Sequence, residues 1–342
     1  MSGHKMVQRL PPLPTIKDIL RLYNLRAMKQ LSQNFIMESR ITDKIAKVAG
    51  DISGGHVCEV GPGPGNITRS IINRNPKSIL LVEKDRRFLP PLEMLAEAAP
   101  CPVKIVVGDI LTVNMESLFP QEEAKVWTDS PPNIHLIGNL PFNVATPLII
   151  RWLRCISEKS SAWKMGRVRM TLTFQKEVAE RMVAPILTKE RCRLSVMAQN
   201  WCHIEHRFNI PGKAFVPKPD VDVGVVHFVP LVTPLIELPF ELVEKVARCM
   251  FSFRQKHCIK CFANLFPKAT RDSYVRRLLE DAEIPYDMRS FQLTMPEIRR
   301  VCFAYQRILD ETPILNKYNY RKHLDADMDS ILEDEERGVV SL

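Results

Sequence analysis

Apolar positions along the chain change period twice. Residues 15–30 place Ile16, Ile19, Leu20 and Tyr23 on one face of a basic amphipathic helix, and Ser39–Gly50 reads as a second helix stopped by Gly50. From His56 the pattern becomes short apolar runs of strand length: His56–Val60, Ser78–Val82, Val103–Val107, Ile134–Ile137 and Val168–Phe174. Helical spacing follows some of them, at Ile67–Asn75 and in the charged stretch Gln175–Met182. Such alternation predicts an α/β fold with a parallel sheet covered on both faces. His203–Ile210 and Val221–Phe228 then alternate like antiparallel strands, joined through the proline-rich loop Pro211–Pro219. Beyond about Pro234 the strand pattern stops, and Phe240–Phe253, Thr270–Ala282 and Pro296–Asp310 read as helices of a small second domain. Glu116–Asn133 has no period, and Pro131-Pro132 suits a surface loop.

Charge adds a division that the apolar pattern lacks. The formal net charge of +9 over 342 residues hides a tail, 325–342, that carries −6, so the rest of the chain carries +15. A folded body this basic suits a polyanionic partner such as nucleic acid or an anionic membrane surface. No run of about 20 apolar residues exists, so no membrane insertion is expected. The first 30 residues hold Lys5, Arg9, Lys17, Arg21, Arg26 and Lys29 against Asp18 alone, the composition of a mitochondrial targeting segment. A basic RNA-binding arm has the same composition. The expected organisation is a basic N-terminal segment (1–27), a sheet domain (28–232), a helical domain (233–320) and an acidic disordered tail (321–342). Nine cysteines without regular short spacing fit a reducing compartment. His257 and Cys258-Ile259-Lys260-Cys261 lack the second pair that zinc wants, so no metal is expected.

The candidate chemistry sits at the ends of the strands. Glu59-Val60-Gly61-Pro62-Gly63-Pro64-Gly65 links a strand to a helix, where glycines let the backbone turn tightly and a ligand approach closely. The dinucleotide fingerprint wants another glycine where Asn66 stands, so that spacing fails. Glu83 ends the next strand, positioned to accept ribose hydroxyls, and Asp109 ends the third, positioned to accept from an adenine amine. A Gly-x-Gly-x-Gly loop with acids after the second and third strands is the pattern of S-adenosylmethionine methyltransferases. The expected fold is therefore a Rossmann-like class I methyltransferase sheet with a small C-terminal helical domain.

Asn139-Leu140-Pro141-Phe142 follows the fourth strand. The exocyclic amine of adenine is a poor nucleophile because its lone pair is delocalised into the ring. The Asn139 side-chain oxygen and the Leu140 carbonyl can accept from its two protons and draw the nitrogen towards tetrahedral geometry. Pro141 preorganises the turn, and Phe142 offers a ring for an extruded base.

Together these residues resemble the rRNA adenine dimethyltransferase family, and its mitochondrial, transcription-factor-B-like branch most. The resemblance spans about residues 25–310 and rests on Gln33-Asn34-Phe35-Ile36, Glu59–Gly65, Glu83-Lys84, Gly108-Asp109-Ile110, Gly138–Phe142, Phe174–Ala179 and Ala214–Pro219; Lys29–Phe35 and Thr146–Ile150 look most like that branch. It implies S-adenosylmethionine as cofactor, with Asn34, Ile36, Gly61, Gly63, Glu83, Lys84, Asp109, Ile110 and Asn139 as its contacts. Family members usually have Leu in place of Ile36; a backbone contact survives that change. It implies Asn139, Leu140 and Phe142 as catalytic residues. The implied substrate is a pair of adjacent adenines in the hairpin loop near the 3′ end of small-subunit rRNA, acted on in the mitochondrial matrix in the course of small-subunit assembly. Candidate RNA-facing bases are Arg167/Arg169, Lys189/Arg191/Arg193, Arg254/Lys256/His257/Lys260 and Arg276/Arg277. Rival readings are a binding protein that contacts the mitochondrial transcription machinery and a methylase of large-subunit rRNA or DNA adenine. The intact tetrad argues against a purely binding role.

Overall fold

A computed structural model describes residues 10–27, 33–253 and 255–320. In chain order the regular elements are α1 (Ile16–Leu22), β1 (Phe35–Ile36), α2 (Ser39–Val48), β2 (His56–Val60), α3 (Asn66–Ile72), β3 (Ser78–Glu83), α4 (Leu89–Ala98), β4 (Val103–Val107), β5 (Ile134–Gly138) and α5 (Phe142–Glu158). They continue with β6 (Arg169–Gln175), α6 (Lys176–Val183), α7 (Arg193–Trp201), β7 (Cys202–Ile210), β8 (Phe215–Val216), β9 (Val223–Pro230), α8 (Phe240–Met250), α9 (Cys258–Phe262), α10 (Arg271–Asp281) and α11 (Met295–Glu311).

Seven strands form one sheet in the order β4-β3-β2-β5-β6-β9-β7. The first five are parallel, and β9 runs antiparallel to both β6 and β7. The central strands β2 and β5 are buried throughout, which is why they read as continuous apolar runs rather than alternating ones. One face is covered by α2, α3 and α4, through Ile45, Ile71, Ile72, Leu92 and Leu95. Burying each such side chain contributes about 1.5–3 kcal/mol. The amphipathic helix α5 buries Leu148, Trp152, Leu153 and Ile156. Trp152 meets Trp163 edge-on at 5.7 Å.

The chain divides into two compact units: residues up to Val183 with Trp201–Val232, and Ala184–Asn200 with residues from Thr233 on. A linear division at 232/233 assigns Ala184–Asn200 to the sheet unit, but this excursion belongs to the helical one. Arg191 shows why. Its side chain is buried, and its guanidinium donates to the Ala184 carbonyl (3.3 Å) and the Leu293 carbonyl (3.2 Å), within the helical unit. The same unit buries Phe262, Phe266 and Tyr305; Phe266 stacks on Tyr274 at 5.3 Å and meets Tyr305 edge-on at 5.8 Å. Thr294 and Glu297 cap the start of α11 reciprocally.

Further sequence expectations are corrected. The first helix ends at Leu22 rather than near 30: Asn24 takes a left-handed conformation (φ 51°), and the Leu25 N–H turns back to the Leu20 carbonyl. Residues 28–30 of that expectation lie outside the described residues, as do 1–9 of the targeting segment and the acidic tail from 321. A long helix, α5, begins directly after Pro141, on a stretch to which the sequence reading assigned no element. Among the RNA-facing bases, Arg191 is buried, and Arg277 is held at 2.6 Å by both carboxylate oxygens of Glu311. Arg167 also serves the fold, donating to the carbonyls of Trp127, Asp129 and Pro230. Arg254 lies outside the described residues. Among the described residues no helix is long and apolar enough to cross a membrane.

Candidate active site

At the carboxyl ends of β2, β3 and β5, the sheet unit opens into a cleft with two adjoining lobes. One lobe is lined by Asn34, Ile36, Gly61, Gly63, Asn139, Leu140 and Phe142, with Phe35, Asn66 and Phe215. The other, of about 210 Å³, is lined by Lys84, Gly108, Asp109, Ile110, Asn143 and Val144. Gln33, Gly61, Glu83, Leu140 and Pro141 border both. Every sequence-derived site residue therefore lies on this one cleft.

The glycine loop is held in a shape open to few other residues. Gly61, Gly63 and Gly65 all have positive φ (66°, 53° and 85°). A Cβ on Gly65 would lie 2.9 Å from a Leu95 methyl, so glycine there also lets α3 and α4 close together. Glu83 fixes the loop from below. Its carboxylate accepts from the Gly63 N–H at 3.0 Å and, through its other oxygen, from the Asp85 N–H at 2.8 Å. Burial pushes the Glu83 carboxyl above the usual range, against the pull of these backbone donors. Beneath it, the wholly buried Glu59 accepts from the Thr68 hydroxyl at 2.6 Å; burial raises that carboxyl to about 8.

Across the second lobe Lys84 donates to Asp109 at 2.8 Å, while the other Asp109 oxygen accepts from the Leu111 N–H at 3.0 Å. The Lys84 hydrogen bond holds the Asp109 carboxyl below its ordinary value. Asp109 thus remains an ionised acceptor at the mouth of this lobe.

The segment Gln33–Met37 forms one rim, tied down at several points. Gln33 donates to Asp85 at 3.0 Å, Asn139 to the Asn34 carbonyl at 2.9 Å and Asn66 to the Ile36 carbonyl at 2.6 Å. β1 pairs with β8, setting Phe35 opposite Val216 and Ile36 opposite Phe215. Phe35 packs edge-on against Phe88 at 5.5 Å. In this structure the carbonyls of Asn34 and Ile36 carry the rim itself, so the contact residues inferred from resemblance are also structural ties.

Asn139 follows the last residue of β5. Its side-chain nitrogen holds Asn34, and its oxygen accepts from the Thr173 hydroxyl at 2.8 Å. Phe142 is half-buried as the first residue of α5, partly packed against the core. Sequence reasoning missed Thr173, Asn66 and Phe215 as site residues. Thr173 is one position in a buried strand and carries no local signal. Asn66 was visible only as a glycine that was missing.

The sheet order, its single antiparallel strand and the glycine loop define a Rossmann-like class I methyltransferase fold with a helical second unit. Residues 24–298 match the family described as ribosomal RNA adenine dimethylase, and the chain belongs to that family. It is accordingly a methyltransferase of the kind that dimethylates adenine in ribosomal RNA. The chain is 53% identical over 323 residues to the Homo sapiens protein named dimethyladenosine transferase 1, mitochondrial, covering 94% of this chain and 93% of that protein. It is 48% identical over 317 residues to the Drosophila melanogaster protein of the same name, covering 92% and 94%. Among solved structures, a dimethyladenosine transferase from Plasmodium falciparum shares the fold with TM-score 0.62 and 21% identity, over 79% of this chain and 96% of that one. The 23S rRNA methyltransferase ErmE does so with TM-score 0.55 and 20% identity, over 80% and 99%.

Proposed function

We propose that this chain transfers methyl groups from S-adenosylmethionine to the exocyclic amines of two adjacent adenines in the 3′-terminal hairpin loop of mitochondrial small-subunit rRNA. The location would be the mitochondrial matrix and the setting small-subunit assembly; the mitochondrial names of the relatives support the first of these. The observation that carries the reading is the meeting of the glycine loop, Glu83, Asp109 and the Asn139 tetrad on one cleft.

The residues present fit the cofactor. The glycine loop exposes backbone where a Cβ would stand, and Glu83 and Asp109 offer carboxylate oxygens on either side of the open lobe. Glu83 would hold the ribose, Asp109 with Ile110 the adenine, and Gly61, Gly63, Asn34 and Ile36 the amino-acid end, with Lys84 shielding Asp109. When bound, S-adenosylmethionine supplies an electrophilic methyl group on a sulfonium. The chain supplies orientation and acceptors. The Asn139 oxygen and the Leu140 carbonyl accept from the target amine and release its lone pair, and the exposed part of the Phe142 ring supports the base. No strong protein base is needed, because the methylated amine is cationic and loses its proton readily to water.

The helical unit is the proposed RNA-binding unit. Its exposed bases include Lys189, 90% exposed and 3.7 Å from Glu190, together with Lys256, His257 and Lys260. A hairpin loop suits such a surface because its bases are already partly unstacked. The pre-ribosomal small subunit is the proposed partner; a secondary contact with the mitochondrial transcription machinery is a separate proposal, tested by co-purification from mitochondria. Mass spectrometry of mitochondrial small-subunit rRNA after depletion tests the main reading. Loss of dimethyladenine, restored by the wild-type chain and not by Asn139→Ala, is expected; dimethyladenine that persists after depletion refutes it.

A further inference from the structure

Thr173 stands in the middle of β6 and is fully buried. β6 pairs in parallel with β5, placing Leu172 opposite Gly138, so Thr173 lies beside the first residue beyond the end of β5, which is Asn139. The Thr173 hydroxyl donates to Asn139 Oδ1 at 2.8 Å, and Asn139 Nδ2 donates to the Asn34 carbonyl at 2.9 Å. We propose that Thr173 is the positioning residue for the Asn139 amide, acting in methyl transfer without touching the substrate. The inference rests on the proposed role of Asn139.

The two bonds divide the work. A carbonyl only accepts, so Asn34 fixes which end of the amide is nitrogen. With the nitrogen anchored there, the oxygen faces Thr173. The hydroxyl occupies one of its two lone pairs and leaves the other for the target amine. An amide turned the other way would present N–H to N–H and could not accept from the substrate. One anchor leaves the amide free to swing about its side-chain torsion; two define a plane. Preorganisation of this kind raises the rate of the chemical step and leaves substrate affinity nearly unchanged, because the acceptor matters most as the amine becomes tetrahedral.

The partner of the Thr173 hydroxyl among the described residues is Asn139. Along β6, Met170, Leu172 and Phe174 face apolar packing, and Thr171 serves a different partner, the His227 imidazole at 2.9 Å. Valine has the shape of threonine without its donor, so it separates packing from hydrogen bonding.

The experiment compares the full chain with Thr173→Val, Thr173→Ser, Asn139→Ala and the Thr173→Val/Asn139→Ala double variant. All are assayed on an rRNA hairpin with S-adenosylmethionine. Thr173→Val is expected to lower kcat about 10- to 100-fold, less than the roughly 100- to 1000-fold loss when a donor to the reacting atoms is removed, with KM for cofactor and hairpin changed less than about threefold. Thr173→Ser restores kcat to within about fivefold, since it keeps the hydroxyl. The double variant is no slower than Asn139→Ala. Wild-type kcat in Thr173→Val, alongside an inactive Asn139→Ala, overturns the positioning role and leaves the functional reading intact. Full activity in Asn139→Ala overturns the functional reading instead. If Thr173→Val fails to fold, Thr173→Ala takes its place, and wild-type kcat there overturns the proposal equally.

Discussion

Asn66 Nδ2 donates to the Ile36 carbonyl at 2.6 Å across 30 residues of sequence. The bond joins the first turn of α3, just past the glycine loop, to the rim that covers the cleft. The donor is 8% exposed and the acceptor's residue 3%, so water cannot replace it easily. Asn66→Ala would leave a buried carbonyl unsatisfied, at about 1–3 kcal/mol. The expected result is cofactor affinity weakened about tenfold, with kcat at saturating cofactor nearly unchanged. Calorimetry and steady-state kinetics would reveal it; unchanged affinity would mean that the rim does not shape the cofactor lobe.

Asn139 has two attachments, so its replacement has two effects. Asn139→Ala is expected to abolish turnover. It also frees the Asn34 carbonyl, so cofactor binding should weaken by about three- to tenfold, the loss of one hydrogen bond. On sequence grounds alone, binding would be largely spared. Single-turnover rates measured with saturating cofactor separate the two effects.

Glu83 links the loop after β2 to the end of β3. Glu83→Ala removes the acceptor for two backbone donors as well as the proposed ribose contact, so about 10- to 1000-fold weaker cofactor binding is expected. Glu83→Gln keeps one acceptor oxygen and should fall between. Equal affinities by calorimetry would remove the ribose assignment.

Two buried histidines predict how stability depends on pH. Burial depresses His135 and His227 to about 4. The unfolded chain, with histidine near 6.5, binds more protons between these values, so stability is full above about 6.5 and falls as pH drops towards 4. Each should cost about 1–2 kcal/mol between pH 6.5 and 5. Urea unfolding at the two pH values checks this, and His227→Gln should flatten the slope. A pH-independent midpoint would contradict the buried neutral state.

The sequence exposed what repeats or stands out against its surroundings. Glu83 and Asp109 were visible because each ends an apolar run, and the glycines because few residues turn there. The register of β5 beside β6 has no sequence trace, so the partnership of Asn139 with Thr173 emerged only in three dimensions. Nothing in the sequence reading marked α5, because a proline such as Pro147 speaks against a helix; here it is accommodated inside one. Asn66 looked like a flaw in a fingerprint and proved to be a tie. Arg191 counted as a surface charge because composition cannot distinguish a solvated guanidinium from one satisfied by carbonyls.

The excursion Ala184–Asn200 has a consequence for folding. Arg191 stands 102 residues before Leu293, a carbonyl that it needs. Until the helical unit forms, the chain holds a guanidinium to be buried without that acceptor, between two strands, β6 and β7, that belong to the sheet. The sheet unit likewise has no contiguous gene fragment: cutting after Val232 keeps Arg191 and the Ala184 carbonyl but discards Leu293 and the rest of the helical unit.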